Sequence, residues 1–420
     1  MAPVSIRLPE APALTFRTVE VPAPVARLLD ALPEEDAVAW VHGGQGLVGW
    51  GSAARLHLDP SGETTDGHLL AADTWWKQLV TRADVEDDVR IPGTGPVAFG
   101  SFAFDAALAP SVMVVPKVVL GTRDGCWWLT VADDDHAVIS RASAPRPPHG
   151  VTYGVGSLDD AAWMAAVEVV VAHIRANRLK KVVLARDVVA RLEDPLDVRW
   201  PLHRLAEGYS QCWTFLVDGL FGASPEPVLS LRGGVAASLV LAGTAVRGDA
   251  LGMSSGAALL ESDKDLEEHS YSVASVREVL RRHCVSVEVS DGPLLLHLPN
   301  VTHLASEVRG RVREGTGALQ LLADLHPTAA VCGTPTATAR QLIREVEGLD
   351  RGRYAGPVGW MDAAGDGEWC IALRCAQIDP TDMQRVRLFG GGGMVRDSVP
   401  SDELAESNAK LLPVQQALSS

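Results

Sequence analysis

KKVVLARDVVARL, at residues 180–192, is the clearest strand signal in the chain. Its apolar residues form a nearly continuous run in which β-branched valine is frequent. Such a run is typical of a strand that is buried on both faces. The run begins with a lysine pair, although only six of the 37 basic residues are lysine. We therefore predict a buried strand that carries an unusual charged group at its start.

Helices and strands are predicted on both sides of this strand, without regular alternation. Residues 1–150 resemble strands and turns, and the Pro-rich stretch 142–150 is expected to link two halves of one fold. The irregular order favours an α+β fold with large antiparallel sheets. The predicted helices lie near 160–177, 262–283, 316–324, 337–347 and 401–418; the predicted strands lie near 212–234 (with a turn at 223–227), 236–244, 298–312, 355–362, 367–378 and 385–390, and a glycine-rich turn follows at 390–393.

The overall composition excludes several classes of protein. The 420 residues carry a net charge of −16, which disfavours binding to nucleic acid. There is no apolar run of about 18 residues, and the N-terminus lacks the apolar centre of a signal peptide, so we expect a cytoplasmic protein without a membrane partner. The six cysteines are scattered, which favours reduced thiols over a zinc site. Residues 44–49 match GxGxxG, but no helix is predicted after them, so we expect a β segment there.

Two acidic helical segments, SDKDLEEH (262–269) and SDELAESNAK (401–410), are candidates for a metal site. Asp265 and Glu268 are three residues apart, and Glu403, Glu406 and Lys410 fall on one helical face. Carboxylates from two helices would suit a hard cation such as Mg²⁺. The alternative is that they complement the helix dipole and lie on solvated surfaces.

Three further features could carry chemistry. Lys181 begins the buried strand, where loss of hydration could make it a general base, or it could reach water at the strand edge. Glu226 lies in the turn Ser224-Pro225-Glu226 and is a candidate general acid if it is buried. The glycine run 390–393 could bring backbone amides close to an anion, or it could be a flexible hairpin.

The order of these motifs resembles that of the chorismate-utilising enzymes, a family that includes isochorismate, salicylate, anthranilate and aminodeoxychorismate synthases. The resemblance rests on KVVLAR, SPE, LAGTAVRG, SDKDLEEH, THL, HPTAAVCGTP, RYAGPVGW, ALR, GGGGMV and ELAESNAK, between about 180 and 412. It implies one α+β domain over residues 1–420, with two large antiparallel sheets packed face to face and helices outside. Residues 1–150 would be the variable half and residues 151–420 the catalytic half.

The resemblance also implies a set of site residues and a Mg²⁺ cofactor. Lys181 would activate water for attack at C2 of chorismate, and Glu226 would protonate the departing C4 hydroxyl. The implied metal ligands are Glu268 and Glu406, with Asp265 and Glu403 as their partners. The implied substrate-binding residues are Ala242, Gly243, Thr244, His303, Tyr354, Arg374, Gly391, Gly392, Gly393 and Lys410.

Within the family, Lys181 favours water over ammonia as the nucleophile, and Ala242 disfavours the aminodeoxychorismate branch. The expected activity is therefore that of an isochorismate synthase, an isomerase that feeds siderophore or menaquinone biosynthesis. The alternatives are a salicylate synthase and a catalytically silent relative. Chorismate is the only partner expected, and the expected state is monomeric. Gly392 and Ser407 differ from the alanine and threonine that are common at these places in the family.

Overall fold

The computed structural model describes residues 6, 8–60, 65–133, 142–246, 259–297 and 301–419. Within these ranges, the side chains of Ala242, Thr244, Ala245, Val246, Lys264, Asp265, Glu268, His297 and Val301 are not described. The described chain forms two large, mostly antiparallel sheets that pack face to face, with helices outside. The fold predicted from the sequence is confirmed.

The first sheet combines strands from both halves of the chain. Its one parallel pair among the described strands is β1 with β5. In spatial order it contains β10 (Thr152–Val155), β11 (Lys181–Arg191), β23 (Asp382–Met394), β22 (Cys375–Asp379), β13 (Leu220–Ser224), β12 (Trp213–Val217), β2 (Ala37–His42), β3 (Gln45–Trp50), β8 (Val118–Arg123), β9 (Cys126–Ala132), β1 (Thr15–Glu20) and β5 (Asp84–Asp87), and the short β19 (Gly333–Thr334) pairs with β11.

The second sheet is likewise built from distant parts of the sequence. Near one edge of this sheet, β15 and β18 form a long antiparallel pair with a bulge between Ala242 and Thr244. In spatial order it contains β16 (Cys284–Val289), β18 (Val301–Val312), β15 (Val235–Val246), β14 (Pro227–Arg232), β21 (Gly367–Ile371), β20 (Pro357–Asp362), β6 (Val97–Ser101), β7 (Ser111–Val115) and β4 (Ala54–Leu58), and β17 (Leu294–His297) pairs with β18.

Helices cover the outer faces of the sheets. They are α1 (Thr65–Arg82), α2 (Asp160–Arg175), α3 (Arg199–Gly208), α4 (Asp263–His283), α5 (Ala318–Leu325), α6 (Thr336–Val346) and α7 (Pro400–Ala417). Helix α4 packs on β15 and β18, whereas α3 and α7 pack on the first sheet and on each other. Asp159 caps α2 by accepting a hydrogen bond from the Ala162 amide, as its position before the helix predicts. No helix in the described ranges is both long and apolar enough to cross a membrane.

The main core lies between the sheets and is rich in tryptophan. Trp40, Trp128, Trp360 and Trp369 are at most 1% exposed and belong to one apolar cluster that draws on both sheets. A second cluster lies under α3 and α7 on the outer face of the first sheet. Burial of large side chains on both faces explains why the strands of the first sheet that lie under these helices have continuous apolar runs.

Four local predictions were wrong, and the first is the single strand predicted at 367–378, which forms β21 and β22 in different sheets. Helix α1 lies in a region predicted to hold strands and turns, although Leu69, Ala72, Trp76 and Leu79 have helical spacing and are buried. Residues 212–234 form three strands, because a turn at 218–219 adds a hairpin. The glycine run is not a turn: Gly390 to Gly393 lie inside β23 and pair with β11.

Candidate active site

Two chain crossings between the sheets bring the predicted site residues together. One runs from β13 to β14 through Ser224-Pro225-Glu226, and the other runs from β21 to β22 through residues 372–374. The crossings are joined because the Ile371 amide donates to the Glu226 carbonyl oxygen (3.0 Å) and Ser224 Oγ donates to the Ile371 carbonyl oxygen (2.5 Å). The Glu226 amide donates in turn to Ser224 Oγ (3.2 Å). This network holds the predicted acid in a fixed turn.

Glu226 has an environment that favours its protonated form. Its side chain keeps some exposure to solvent, but burial raises the pKa of its carboxyl group above the ordinary value. The positive charges that act against this shift are those of Lys181, Arg374 and Lys410. The structure therefore places three predicted site cations within electrostatic range of the predicted acid. A raised pKa makes the carboxyl group of Glu226 better able to hold and then donate a proton than an ordinary glutamate.

Lys181 lies at the start of β11, opposite the end of β23. A Cβ atom at Gly393 would lie 2.9 Å from Lys181 Cε and 3.6 Å from Nζ. The Lys181 side chain thus lies directly over Gly393, and any larger residue at position 393 would reduce the space for this side chain. Lys181 as a whole is partly exposed.

The glycine strand presents backbone amides to the open side of the sheet. Val183 pairs with Gly393 and Ala185 pairs with Gly391. Both β11 residues direct their N–H and C=O groups away from β23, since the Val183 amide donates to Cys332 and the Ala185 amide donates to Glu347. In an antiparallel ladder, the N–H and C=O groups of the partners Gly391 and Gly393 must then point away from β11.

The opposite edge of β23 is open at the same place. In the described sheet, β22 pairs with β23 from Asp382 only as far as Leu388, so residues 389–394 extend beyond it. The amides of Gly391 and Gly393 therefore face a space beside Arg374, the residue that precedes β22. Gly392, by contrast, directs its backbone groups toward Leu184 in β11. Of the three predicted glycine amides, only two are in position to meet an anion there.

Helix α7 brings its carboxylates to the same strand. A Cβ atom at Gly392 would lie 2.9 Å from Glu403 Oε2 and 3.9 Å from Glu406 Oε1. Lys410 Nζ lies 2.6 Å from Glu406 Oε1 and donates to the Gly391 carbonyl oxygen (2.8 Å). Burial lowers the pKa of Lys410, although the Glu406 charge acts in the opposite direction. The predicted face of α7 is thus turned toward the glycine strand.

Glu403 is suited to hold a cation. Its Oε2 atom is buried and makes no hydrogen bond with any atom of the described chain. Burial raises the pKa of Glu403, and the neighbouring Glu406 charge adds to the effect. Both features are expected of a carboxylate that lacks a positive ligand, because such a group is costly to bury when ionised.

Helix α4 supplies the other predicted metal ligands, but their side chains lie outside the described residues. These are Asp265 and Glu268, and the same holds for Ala242 and Thr244 in β15. The side chains that are described include no group of three or more His, Cys, Asp or Glu placed to bind a metal ion. The α7 carboxylates alone are therefore an incomplete ligand set.

His303 and Gly243 come from the second sheet. Gly243 is the bulge residue of β15 and has a φ of 76°, a conformation that favours glycine. The His303 ring hydrogen-bonds to the Gly243 backbone. Burial lowers the pKa of His303 to about 4, and the charges of Arg374 and Lys410 act in the same direction. His303 is therefore neutral at pH 7 and can serve as a hydrogen-bonding group.

Tyr354 and Arg374 lie on the connections that enter β20 and β22. The Tyr354 ring stacks on Phe389, with 5.0 Å between ring centroids and an interplanar angle of 7°. Burial raises the pKa of Tyr354, so its hydroxyl stays protonated and can donate a hydrogen bond. Arg374 has a φ of 48° and is partly exposed. Its charge acts on Glu226, His303 and Tyr354, which places it near all three.

A family model described as "Chorismate binding enzyme" matches residues 22–419. The chain belongs to the chorismate-binding enzyme family. The resemblance inferred from the motif order is thereby confirmed, and it extends over the N-terminal half.

Three similar proteins are described as isochorismate synthases. The chain is 39% identical over 406 residues to the salicylate biosynthesis isochorismate synthase of Pseudomonas aeruginosa, covering 88% of this chain and 82% of that protein. It is 31% identical over 405 residues to the isochorismate synthase MenF of Bacillus subtilis, covering 89% and 85%. Among solved structures, the putative 2,3-dihydroxybenzoate-specific isochorismate synthase DhbC of Bacillus anthracis superposes with a TM-score of 0.74 and 29% identity, covering 93% of this chain and 98% of that chain.

Several residues that shape the site of this chorismate-binding enzyme could not be predicted from the sequence. Ser398 hydrogen-bonds to Glu403, and the buried pair Glu347 and Arg351 contacts the edge of β11 that faces away from β23. A Glu and an Arg four residues apart are a common surface pattern, so spacing alone could not identify this pair. The only available signal was its place just before the RYAGPVGW motif.

Proposed function

We propose that this protein is an isochorismate synthase that converts chorismate to isochorismate. The observation that carries the proposal is the environment of Glu226, a carboxyl group with a raised pKa that interacts with the charge of Lys181. The similarity to isochorismate synthases over most of the chain supports the same reaction. The product would enter siderophore or menaquinone biosynthesis.

In the proposed reaction, water adds at C2 of the substrate and a hydroxyl group leaves C4 as the double bonds shift. Lys181 acts as the base that removes a proton from the attacking water. Glu226 acts as the acid that protonates the departing hydroxyl, so that it leaves as water. The raised pKa of Glu226 supports the acid role, because the group must hold its proton before the reaction.

The substrate is a dianion, whereas the protein has a net charge of −16, so binding must depend on local positive groups. Arg374, the Tyr354 hydroxyl and the amides of Gly391 and Gly393 would bind the enolpyruvyl carboxylate. A planar guanidinium group suits this task because it can donate two parallel hydrogen bonds. Ala242, Gly243 and Thr244 would line the C4 side, with neutral His303 as a hydrogen-bonding neighbour.

Mg²⁺ is the proposed cofactor. Glu403 and Glu406 of α7 would hold it together with Asp265 and Glu268 of α4, and the unsatisfied Oε2 atom of Glu403 supports this assignment. When bound, the ion would supply positive charge for the ring carboxylate of the substrate. Lys410, which is paired with Glu406, would offset the negative charge of the ligand carboxylates that the ion leaves uncompensated.

The test is to incubate the purified protein with chorismate and Mg²⁺ and to separate the products by chromatography. We expect isochorismate in equilibrium with chorismate. Salicylate and pyruvate as main products would replace the proposal with a salicylate synthase, and no turnover would indicate a silent family member. A control without Mg²⁺ tests the cofactor assignment in the same experiment.

A further inference from the structure

Strand β11, which begins with Lys181, lacks a continuous neighbour on one edge. Its other edge pairs with β23 from Val182 to Arg191. The edge that faces away from β23 pairs with β19 at Lys181 and Val182, and with β10 from Val188 onward. Within the described chain, no strand pairs with residues 183–187 between these two segments. An unpaired, buried strand edge would leave costly backbone groups unsatisfied.

Side chains fill this gap in place of a strand. Glu347 Oε2 accepts from the Ala185 amide (2.8 Å), and Arg351 Nη2 donates to the Val183 carbonyl oxygen (2.7 Å). Trp163 Nε1 donates to the Ala185 carbonyl oxygen (3.0 Å). These bonds match those that a neighbouring strand would make to the same residues.

The two charged side chains form one rigid unit. Arg351 donates two hydrogen bonds to Glu347, at 2.6 Å and 2.5 Å, and the side chains are only 3% and 1% exposed. A third guanidinium nitrogen donates to the Val331 carbonyl oxygen (2.9 Å), and the group lies 4.1 Å from the Phe104 ring centroid. The pair thus ties β11 to the loop that precedes β19 and to the N-terminal half of the chain.

The residues that the pair holds are those across from the glycine strand. Ala185 faces Gly391, and Val183 faces Gly393, the glycine next to the Lys181 side chain. A displacement of β11 at these two positions would therefore move both Lys181 and the two glycine amides that face the open edge.

We infer that Glu347 and Arg351 are positioning residues that hold β11, and through it Lys181 and the glycine strand, in the arrangement needed for the reaction. The inference rests on the proposed function for its kinetic consequence. The pair touches no reacting atom, so its contribution is to geometry. Misplacement of a catalytic group by about 1 Å can cost on the order of a hundredfold in rate.

The test compares Glu347→Gln with Asp197→Asn. Asp197 and Arg199 form a second buried ion pair (2.7 Å), with side chains that are 1% and 2% exposed, on the outer side of the first sheet. Each substitution removes the nearest carboxylate from a buried arginine, although Arg199 keeps Glu34 at 3.9 Å, so both are expected to lower the melting temperature. Only Glu347→Gln is expected to lower kcat per folded molecule, by about tenfold to a hundredfold, with a smaller change in KM.

A second measurement does not depend on turnover. Amide hydrogen exchange, followed by mass spectrometry, should become faster in peptides that cover 181–187 and 389–394 of Glu347→Gln, but not in Asp197→Asn. If the wild-type protein does not act on chorismate, the proposed function fails while this measurement still tests the positioning role. Should Glu347→Gln not fold, Arg351→Lys keeps the charge pair but cannot make all the bonds of the guanidinium group.

Wild-type kcat and unchanged exchange in folded Glu347→Gln would overturn the inference. An equal loss of kcat in Asp197→Asn at a matched melting temperature would also overturn it, because the effect would then be one of general stability.

Discussion

Replacement of Gly393 by alanine tests whether the Lys181 amine must occupy its present position. The added Cβ would lie 2.9 Å from Lys181 Cε, whereas carbon atoms in contact prefer about 3.5–4.0 Å. The lysine must therefore retreat by roughly 0.6–1.1 Å, since its far end is the flexible part of this contact. Apart from Lys181, the nearest neighbour of the added Cβ would be Val183 Cγ2, at an ordinary distance of 4.0 Å.

The fold should tolerate this change. Gly393 is not among the described glycines with positive φ, so alanine can adopt its backbone conformation. Such a substitution tends to stabilise by about 0.4–1 kcal/mol through the unfolded chain, which offsets part of the cost of the contact. We expect kcat to fall by about a hundredfold, or ~2.7 kcal/mol of activation free energy, with little change in melting temperature.

The assay is the initial rate of isochorismate formation at saturating chorismate, together with the thermal unfolding curve. Gly154→Ala is the matched control, because it lies in the edge strand β10 of the same sheet and its Cβ would meet only one atom, at 3.9 Å. This control should keep wild-type kcat. An unchanged kcat in Gly393→Ala, with an unchanged melting temperature, would refute the argument that the Lys181 amine acts from this position.

Three further predictions concern the proposed base, acid and metal ligands. Lys181→Ala should abolish turnover while the fold and Mg²⁺ affinity remain, as judged by circular dichroism and calorimetry; an active variant would remove the base role. Because burial raises the pKa of Glu226, the rate should be supported below that raised pKa and should fall as the pH rises through it. Glu226→Gln should remove turnover and with it this alkaline limb of the pH–rate profile. A variant that keeps the wild-type pH–rate profile would contradict the acid role. Glu403→Gln and Glu268→Gln should each raise the Mg²⁺ concentration needed for half-maximal rate, and an unchanged Mg²⁺ dependence would argue against these ligands.

Local structure was largely predictable where one short stretch carries the signal. The run at 180–192 predicts a buried strand, and β11 spans Lys181–Arg191. The last helix, predicted at 401–418, likewise spans Pro400–Ala417. Helix α1 was not predicted because its aromatic and β-branched residues are weak helix formers.

The glycine run shows where a local signal was ambiguous. Glycine permits a turn, but it also permits close approach between a strand and its neighbours. In the structure, a Cβ at Gly391 would overlap the Leu184 carbonyl oxygen of β11, and one at Gly392 would crowd Glu403. The glycines are needed because of Leu184, about 200 positions earlier, and Glu403, eleven positions after Gly392, so the glycine run alone does not reveal the need.

The amino-acid sequence is enough to identify the family, much of the order of the strands and helices around the motifs, and the chemical types available for the site. Which of these groups meet depends on the packing of the two sheets. Two crossings between the sheets bring Glu226 into range of Lys181 and Arg374, the end of β22 exposes the Gly391 and Gly393 amides, and the buried Glu347–Arg351 pair fills the edge of β11. Such contacts depend on strand register and on groups far apart in the chain, because only the packed sheets fix the distances between them.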